Sequence, residues 1–454
     1  MDILSLNSKE FEKLVTEYDP YYRDMIIGID IVKKFIIEKK LIIYGGTAID
    51  MALRLKGDRI YPDDLLPDLD FYSTNSVKDS YVLADKLFDA GFHEARAINA
   101  LHTGTMRVDL VKNHFIADIS YREQSVFDNI PYLIYQEMKI LHPDFQRIDL
   151  HYSLSFPLDK VPREIIFERW DKDIKRFNLF EKHYPLELSN VSHQLKKNIY
   201  FIRKHVVSGF AAYCAYYNEF KQKFAESTNN SGSTTFKFDE IVPGIFEFDG
   251  ERITFSGLNE YEVIHYDIRK FLEEFPLDLV KYYEPYINLI PDRAEGMSPD
   301  GKIVVYSTQK RMIGVKTLKT INGLIRIQCV QSLLRQFLSL HFIHKETPKL
   351  AGIYINCYIS LLRMANEVAA IITNPEEFNK TLFSLSLDLY GSENINPHTE
   401  VWYQKLLYEI GDTSSPVKVP YGYYPSRNKG KYINFNPEEN KFYRESGREI
   451  KELY

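Results

Sequence analysis

Three aspartates have the types and spacing for metal-assisted phosphoryl chemistry. Asp68 and Asp70 flank Leu69 within Pro67-Asp68-Leu69-Asp70-Phe71-Tyr72-Ser73, and Asp118 stands in the apolar run 115–121. Side chains alternate faces along a strand. Asp68, Asp70 and Tyr72 therefore share one face, and Leu69 and Phe71 take the other. In the second run, Ile116, Asp118 and Ser120 alternate with Phe115, Ala117, Ile119 and Tyr121. Carboxylates are hard oxygen donors that suit Mg²⁺ or Mn²⁺. Two such ions, about 3.5–4 Å apart, clamp the attacking and leaving oxygens when a phosphoryl or nucleotidyl group is transferred. Asp109, in Met106-Arg107-Val108-Asp109-Leu110, competes with Asp118 for the third position. A three-residue hairpin loop at Lys112-Asn113-His114 puts Asp109 and Asp118 on opposite faces, whereas a two-residue loop puts them on the same one; the register stays open. Asp118 is preferred, because Arg107 shares the face of Asp109 and offers it an ion pair.

These carboxylates need a phosphate-binding partner. Leu41-Ile42-Ile43-Tyr44 reads as a short strand, followed by Gly45-Gly46, Thr47 and a helix to Leu55. Glycine permits positive φ and close backbone approach to a phosphate. A strand–Gly-Gly–helix junction aims the free N–H groups of the helix start at a triphosphate, and Thr47 can add a hydroxyl. Asp50 and Arg54 are i,i+4 on that helix and pair with each other. Residues 1–40 read as helical, with Ser8 as an N-cap, a break at Asp19-Pro20 and a second helix from Met25 to Lys40 that buttresses the sheet. Ser76 to Ala90 is an amphipathic helix ended by Gly91, and Val126 to Leu141 reads as another helix.

The segments Ile43-Tyr44-Gly45-Gly46, Asp68-Leu69-Asp70 and Asp118 resemble the polymerase-β-like nucleotidyltransferase superfamily. Within it the chain is similar to the poly(A) polymerase catalytic subunits of large cytoplasmic DNA viruses, the poxvirus-type enzymes and their giant-virus relatives. The resemblance implies an α+β fold with a nucleotidyltransferase core and template-independent transfer of AMP from ATP to RNA 3′ ends, as in mRNA polyadenylation. It also implies two divalent ions on Asp68, Asp70 and Asp118, and a single-stranded RNA 3′ end as acceptor. Homodimers, and heterodimers with a processivity subunit, both occur among such enzymes. The place implied is the host cytoplasm, a viral factory or the virion. One departure is the long gap from Gly46 to Asp68, where Arg59 to Pro67 reads as an inserted loop. Two alternatives stay open: a nucleotidyltransferase toxin acting on tRNA or protein, and a silent RNA-binding or processivity scaffold.

The 454 residues divide into an N-terminal helical segment 1–40, a catalytic domain 41–190 and a C-terminal domain 191–454. A formal charge of −6 excludes a globally basic nucleic-acid binder, so RNA contacts must be local. Cys214, Cys329 and Cys357 lack metal or disulfide spacing, which points to a reducing compartment. No signal peptide or membrane-spanning run is read, so no membrane partner is expected. In the segment 164–177, Lys172, Lys175 and Arg176 lie on adjacent helical turns and could hold a triphosphate or RNA backbone, or form an ordinary solvated face. This segment also resembles one that follows the catalytic core in the viral enzymes.

The polar run Ser227 to Thr235 is the best linker. Beyond it, a hairpin at Asp249-Gly250, then Ser256-Gly257-Leu258 and a helix-like Tyr261 to Phe275, echo residues 41–55. Lys302 to Thr308 echoes Asp68 to Thr74, with Lys302 standing where Asp68 is and Val304 where Asp70 is. The C-terminal α/β domain is thus either a degenerate second copy of the nucleotidyltransferase fold or shows a coincidental match of strands that end in Tyr-Ser-Thr. Gln328 to Ile343 and Gly352 to Ile372 read as core helices. The tail from Ser415, rich in tyrosine and basic residues, is either an RNA-stacking segment or a surface-draped terminus.

Overall fold

The computed structural model describes residues 18–63, 65–100, 104–111, 114–155, 163–189, 205–221, 260–283, 290–299, 301–308, 312–320, 323–384, 388–391, 422–436 and 441–444, with isolated positions 7, 10, 11, 14, 195–196 and 254–255. The Ser8 cap, the Lys112-Asn113 turn, the Ser227–Thr235 linker, the Asp249-Gly250 hairpin and Ser256-Gly257-Leu258 lie outside the described residues. So do the side chains of 164–170. Two compact units are present. One comprises Met1–Gln146, Asn178–His183 and Pro397–Tyr454; the other comprises Arg147–Phe177 and Tyr184–Asn396.

In the first unit, the helix Tyr22–Lys39 buries Ile29, Val32, Phe35 and Ile36, a three-and-four spacing that makes one apolar face. Lys40, at φ 56°, ends it. The sheet follows: β1 (Ile42–Ile43), β2 (Leu69–Ser73), β3 (Arg96–Asn99), β4 (Thr105–Val111), β5 (His114–Tyr121), β6 (Tyr132–Tyr135) and β7 (Met138–Leu141). Their spatial order is β3-β4-β5-β2-β1-β7-β6. The pairs β2/β5 and β1/β7 are parallel and the others antiparallel. Leu69, Phe71, Ala117 and Ile119 are buried, as alternation requires. The helix expected over Val126 to Leu141 is instead, from Tyr132, the hairpin β6–β7. Its turn residues Gln136 and Glu137 both have positive φ, 46° and 66°. That turn type normally advertises itself with Asn or Gly, so the sequence hid it.

The second unit contains a short pair, β8 (Leu195–Lys196) with β10 (Thr254–Phe255), and a larger sheet. The larger sheet is built from β9 (Val206–Val207), β11 (Glu260–His265), β12 (Asp278–Tyr283), β13 (Arg293–Ser298), β14 (Gly301–Ser307), β15 (Ile313–Thr320), β16 (Gly323–Gln328) and β17 (Asp388–Tyr390). Its order is β12-β13-β14-β11-β9-β16-β15-β17. Strand for strand, the first seven repeat the order of the first unit. The parallel pairs fall in the same places, β14/β11 and β9/β16, and the rest are antiparallel. The helix Gly209–Phe220 follows β9 as Gly45–Arg54 follows β1. Helices Val330–Ile343 and Pro348–Ile371 are present as expected and bury Leu333, Phe337, Tyr358 and Leu361.

The second sheet therefore repeats the strand order of the first, but the echo seen in the sequence is one strand out of place. β14, with Lys302, corresponds to β5. The counterpart of β2 is β11, where a helix from Tyr261 was expected. Glu260-Tyr261-Glu262-Val263 alternates with period two, and Asp267 caps the helix Ile268–Glu274 only after the strand. The backbone fixes the correspondence. The Tyr44 N–H donates to the Asp70 carbonyl at 2.8 Å, and the Ser208 N–H donates to the Glu262 carbonyl at 3.0 Å. Gly209 thus stands for Gly45, Glu262 for Asp70 and Val304 for Asp118.

The C-terminal tail returns to the first unit. A further strand, β18 (Gly422–Tyr423), pairs with β3 and extends the first sheet. Tyr423 is buried, stacks on Tyr81 at 4.3 Å and donates to Asp85 at 2.8 Å. Tyr432 also donates to Asp85, and Lys429 pairs with Asp89. The division that assigns all of 191–454 to one C-terminal domain differs here, because strand pairing is a long-range contact that composition does not record.

Candidate active site

Strand β1 delivers Tyr44 in an extended conformation, and Gly45 turns the chain into its helix at φ +70°. Only Gly45 fits there: a methyl group on it would lie 2.6 Å from Oδ2 of Asp70. Gly45 is thus pressed against the second carboxylate of the D-x-D strand. Thr47, buried, donates its hydroxyl to the Asp68 carbonyl at 3.0 Å. It ties the helix start to that strand. Asp50 and Arg54 pair at 2.5 Å, as their spacing implies. They also hold the inserted loop. Asp50 accepts from the Ile60 and Tyr61 N–H groups at 2.7 and 2.8 Å, and Arg54 reaches Asp63.

Asp70 and Asp118 are register partners on the parallel strands β2 and β5. Asp68, Asp70 and Asp118 each place one carboxylate oxygen within 4.8 Å of the others, Asp68 exposed and the other two partly buried. Ligand oxygens around an octahedral Mg²⁺, about 2.1 Å from the ion, lie about 3–4.2 Å apart. The triad therefore fits a hard divalent cation with small side-chain adjustment. Surrounding protein and the negative charge of Asp118 push the Asp68 carboxyl above the ordinary carboxylate range, with Arg107 opposing. Two repelling carboxylates beside a third are the electrostatic condition that a cation relieves.

Asp109 stands apart from this triad. It is fully buried and pairs with Arg96 of β3 at 2.6 Å. The sequence assigned Arg107 to Asp109, and the structure corrects this. Arg107 lies directly opposite Asp118 and grips it through Nε–Oδ1 at 2.7 Å and Nη2–Oδ2 at 2.5 Å. Residues facing each other across antiparallel strands touch more closely than same-strand neighbours two apart. β4 ends at Val111 and β5 begins at His114, so the shorter loop places Arg107, and not Asp109, across from Asp118.

Sequence reasoning missed a second layer. Tyr44 stacks on Tyr72 at 4.1 Å, and the Arg122 guanidinium covers Tyr72 at 4.1 Å. The Tyr44 hydroxyl is 2.7 Å from Ser120 Oγ, which is 2.8 Å from Thr105 Oγ1. Tyr72 and Ser120 share the carboxylate face by alternation, which was the available signal. Burial and the charge of Asp70 hold the Tyr44 phenol well above its ordinary value, so it stays protonated.

Lys172, Lys175 and Arg176 lie on the helix Arg163–His183, within the second unit. Lys172 is exposed, Lys175 pairs with Asp171 at 2.6 Å and Arg176 pairs with Asp173 at 3.3 Å. In the second unit, the counterpart of the D-x-D carboxylate is internally satisfied. Glu262 accepts from the Phe210 N–H at 3.1 Å, from Tyr306 at 3.2 Å and from Gln336 at 3.3 Å. The three cysteines are free and buried. Among the described residues, no helix is long and apolar enough to cross a membrane.

Residues 30–160 match the sequence model of the poly(A) polymerase catalytic subunit family. A protein of African swine fever virus, isolate Tick/South Africa/Pretoriuskop Pr4/1996, described as a poly(A) polymerase catalytic subunit, is 32% identical over 455 residues, covering 93% of this chain and 92% of its own. Its counterpart in isolate Pig/Kenya/KEN-50/1950 is 30% identical and covers 97% of both chains. A protein of Acanthamoeba polyphaga mimivirus with the same description is 29% identical over 161 residues, 35% of this chain and 26% of its own. The crystal structure of the Megavirus polyadenylate synthase shares the fold, with a TM-score of 0.72 at 20% identity over 99% of this chain and 90% of that one.

Proposed function

The chain belongs to the poly(A) polymerase catalytic subunit family, and from that premise we propose that it adds AMP from ATP, without a template, to single-stranded RNA 3′ ends. The observation that carries this reading is the convergence of Asp68, Asp70 and Asp118 on adjacent strands, beside the helix that starts at Gly45. Asp68 and Asp70 would hold two divalent ions, Mg²⁺ or Mn²⁺, and Asp118 would join one of them. Bound there, the ions supply Lewis-acid stabilisation of the attacking and leaving oxygens. Gly45, Gly46 and Thr47 present backbone N–H groups for the triphosphate at the positive end of their helix. Thr47 and Gly45 hold that helix start against the D-x-D strand, so donor and carboxylates keep one geometry. The primer 3′ oxygen bonds to the α-phosphorus and pyrophosphate leaves, so no nucleophilic side chain is needed.

Lys172 and Lys175 are exposed on their segment and are candidate contacts for RNA or triphosphate, with Arg176 beside them on the helix. The second unit lacks the third carboxylate at Val304 and serves as scaffold, dimer surface or RNA platform. A second copy and a separate processivity subunit are both open as partners. The host cytoplasm is the place in keeping with the viral relatives.

The test is a primer-extension gel with labelled single-stranded RNA, each NTP separately, and Mg²⁺ or Mn²⁺. A ladder with ATP alone, absent in Asp68→Ala/Asp70→Ala, is expected. A single added nucleotide moves the reading to a toxin-like transferase. No product with any NTP or metal, together with retained RNA binding, points to a scaffold or a missing subunit.

A further inference from the structure

Arg107 occupies the third carboxylate of the site. The guanidinium takes both oxygens of Asp118 and lies over the Phe115 ring at 4.3 Å. A bidentate arginine–carboxylate pair is strong and geometrically specific. Asp109, the acidic residue on β4 beside Arg107, is matched by Arg96. Asp118, in turn, is one of the three residues whose oxygens converge for a cation. One arginine and one divalent ion therefore compete for the same carboxylate.

We propose that Arg107 makes loading of the cation at Asp118 conditional on the incoming nucleotide; this rests on the two-ion reading of the site. Three carboxylates against one guanidinium leave two negative charges, which one divalent ion neutralises. A second ion brings positive charge that the side chains do not balance, and the nucleotide's phosphates supply the balance. Without nucleotide, that second ion must take an oxygen from Arg107. Without Arg107, the same three carboxylates accept it directly. Arg107 is a positioning residue here: it acts through Asp118, it orients that carboxylate, and it keeps the site from loading fully before substrate arrives.

Mn²⁺ binding to the intact chain tests this without catalysis, by following the electron paramagnetic resonance of free Mn²⁺. Wild type, Arg107→Met, Arg107→Lys and Arg107→Met/Asp118→Asn are compared, with near-ultraviolet circular dichroism confirming the fold. In wild type a second ion binds well only when a non-hydrolysable ATP analogue is added. In Arg107→Met, without nucleotide, the second ion binds at least about tenfold more tightly than in wild type, since a unit charge a few ångströms away has been removed. Arg107→Lys keeps the charge but not the fork and falls between them, so it still reports if the methionine variant misfolds. Adding Asp118→Asn abolishes the gain. Identical Mn²⁺ binding in wild type and folded variants overturns the proposal, as does a gain that survives Asp118→Asn. Failure of the polymerase reading is distinguishable, because it appears as wild type that makes no ladder on RNA, whatever the Mn²⁺ result. Wild type that extends RNA while the variants bind Mn²⁺ unchanged removes only the role of Arg107.

Discussion

A methyl group on Gly45 would sit 2.6 Å from Oδ2 of Asp70. The junction proposed for the triphosphate and the carboxylate proposed for the metal are thus close neighbours. Gly45→Ala must either strain the backbone at φ +70° or push Asp70 aside. The strain alone costs about 1–3 kcal/mol. Displacing a reacting-site group by about 1 Å costs roughly a hundredfold in rate. Extension by Gly45→Ala is expected to fall at least that far while the protein stays folded. Gly57→Ala is the control: its φ is +77° but nothing lies within 4 Å of the added atom. It pays the same strain and keeps its activity.

Asp68 is held above the ordinary carboxylate range by the surrounding protein and by Asp118. A carboxyl raised in the folded state favours the fold while it is protonated. That contribution is lost as pH rises from the ordinary value, about 3.9, through the raised one. At neutral pH without divalent ions, Asp68→Asn is therefore expected to melt higher than wild type. Mn²⁺ should raise the melting temperature of wild type and raise that of the variant less. Thermal unfolding with Mn²⁺ and with chelator checks both; a variant that melts lower in chelator and responds fully to Mn²⁺ contradicts the assignment.

His151 is buried in the second unit, between Gln331 at 2.7 Å and Tyr358 at 2.9 Å. Burial pushes its imidazole down to about 4, against the bond to Gln331 and with help from the charge of Arg147. The unfolded chain binds this proton near the ordinary value, so stability is present above about 6.5 and drains as pH falls to about 4. Roughly 3 kcal/mol of stability is at stake over that window. Urea unfolding from pH 7 to 4.5 should show this slope, and His151→Gln should flatten it.

Tyr423 is buried on Tyr81 and bonded to Asp85. Tyr423→Ala is expected to cost about 3–5 kcal/mol, the range for deleting a large buried aromatic side chain. Tyr423→Phe leaves Asp85 one donor short and costs about 1–2 kcal/mol. Chemical denaturation measures both. If the tail served only to stack on RNA, stability would be unchanged and RNA affinity alone would fall.

The catalytic strand pattern was legible because alternation is a local rule. Asp68, Asp70 and Tyr72 share a face whatever surrounds them, and β2 buries Leu69 and Phe71 accordingly. The pair Asp50–Arg54 was legible for the same reason, since helical spacing is local. The hairpin β6–β7 was not, because Gln136 and Glu137 carry the positive φ values without the residues that usually mark them. The repeat was legible only as an echo: β9 and β11 are separated by a long stretch, so the Tyr-Ser-Thr match at Lys302 drew attention to the wrong strand.

By itself, then, the sequence determined which residue types line the site and which face each strand offers, since side-chain direction follows from the backbone period. Only the tertiary structure decided which strands lie side by side. It set Asp118, not Asp109, beside the D-x-D strand, gave Arg107 to Asp118 and Arg96 to Asp109, and carried Tyr423 back to β3. Those pairings join positions distant along the chain, and a one-residue change of register would reassign every one of them.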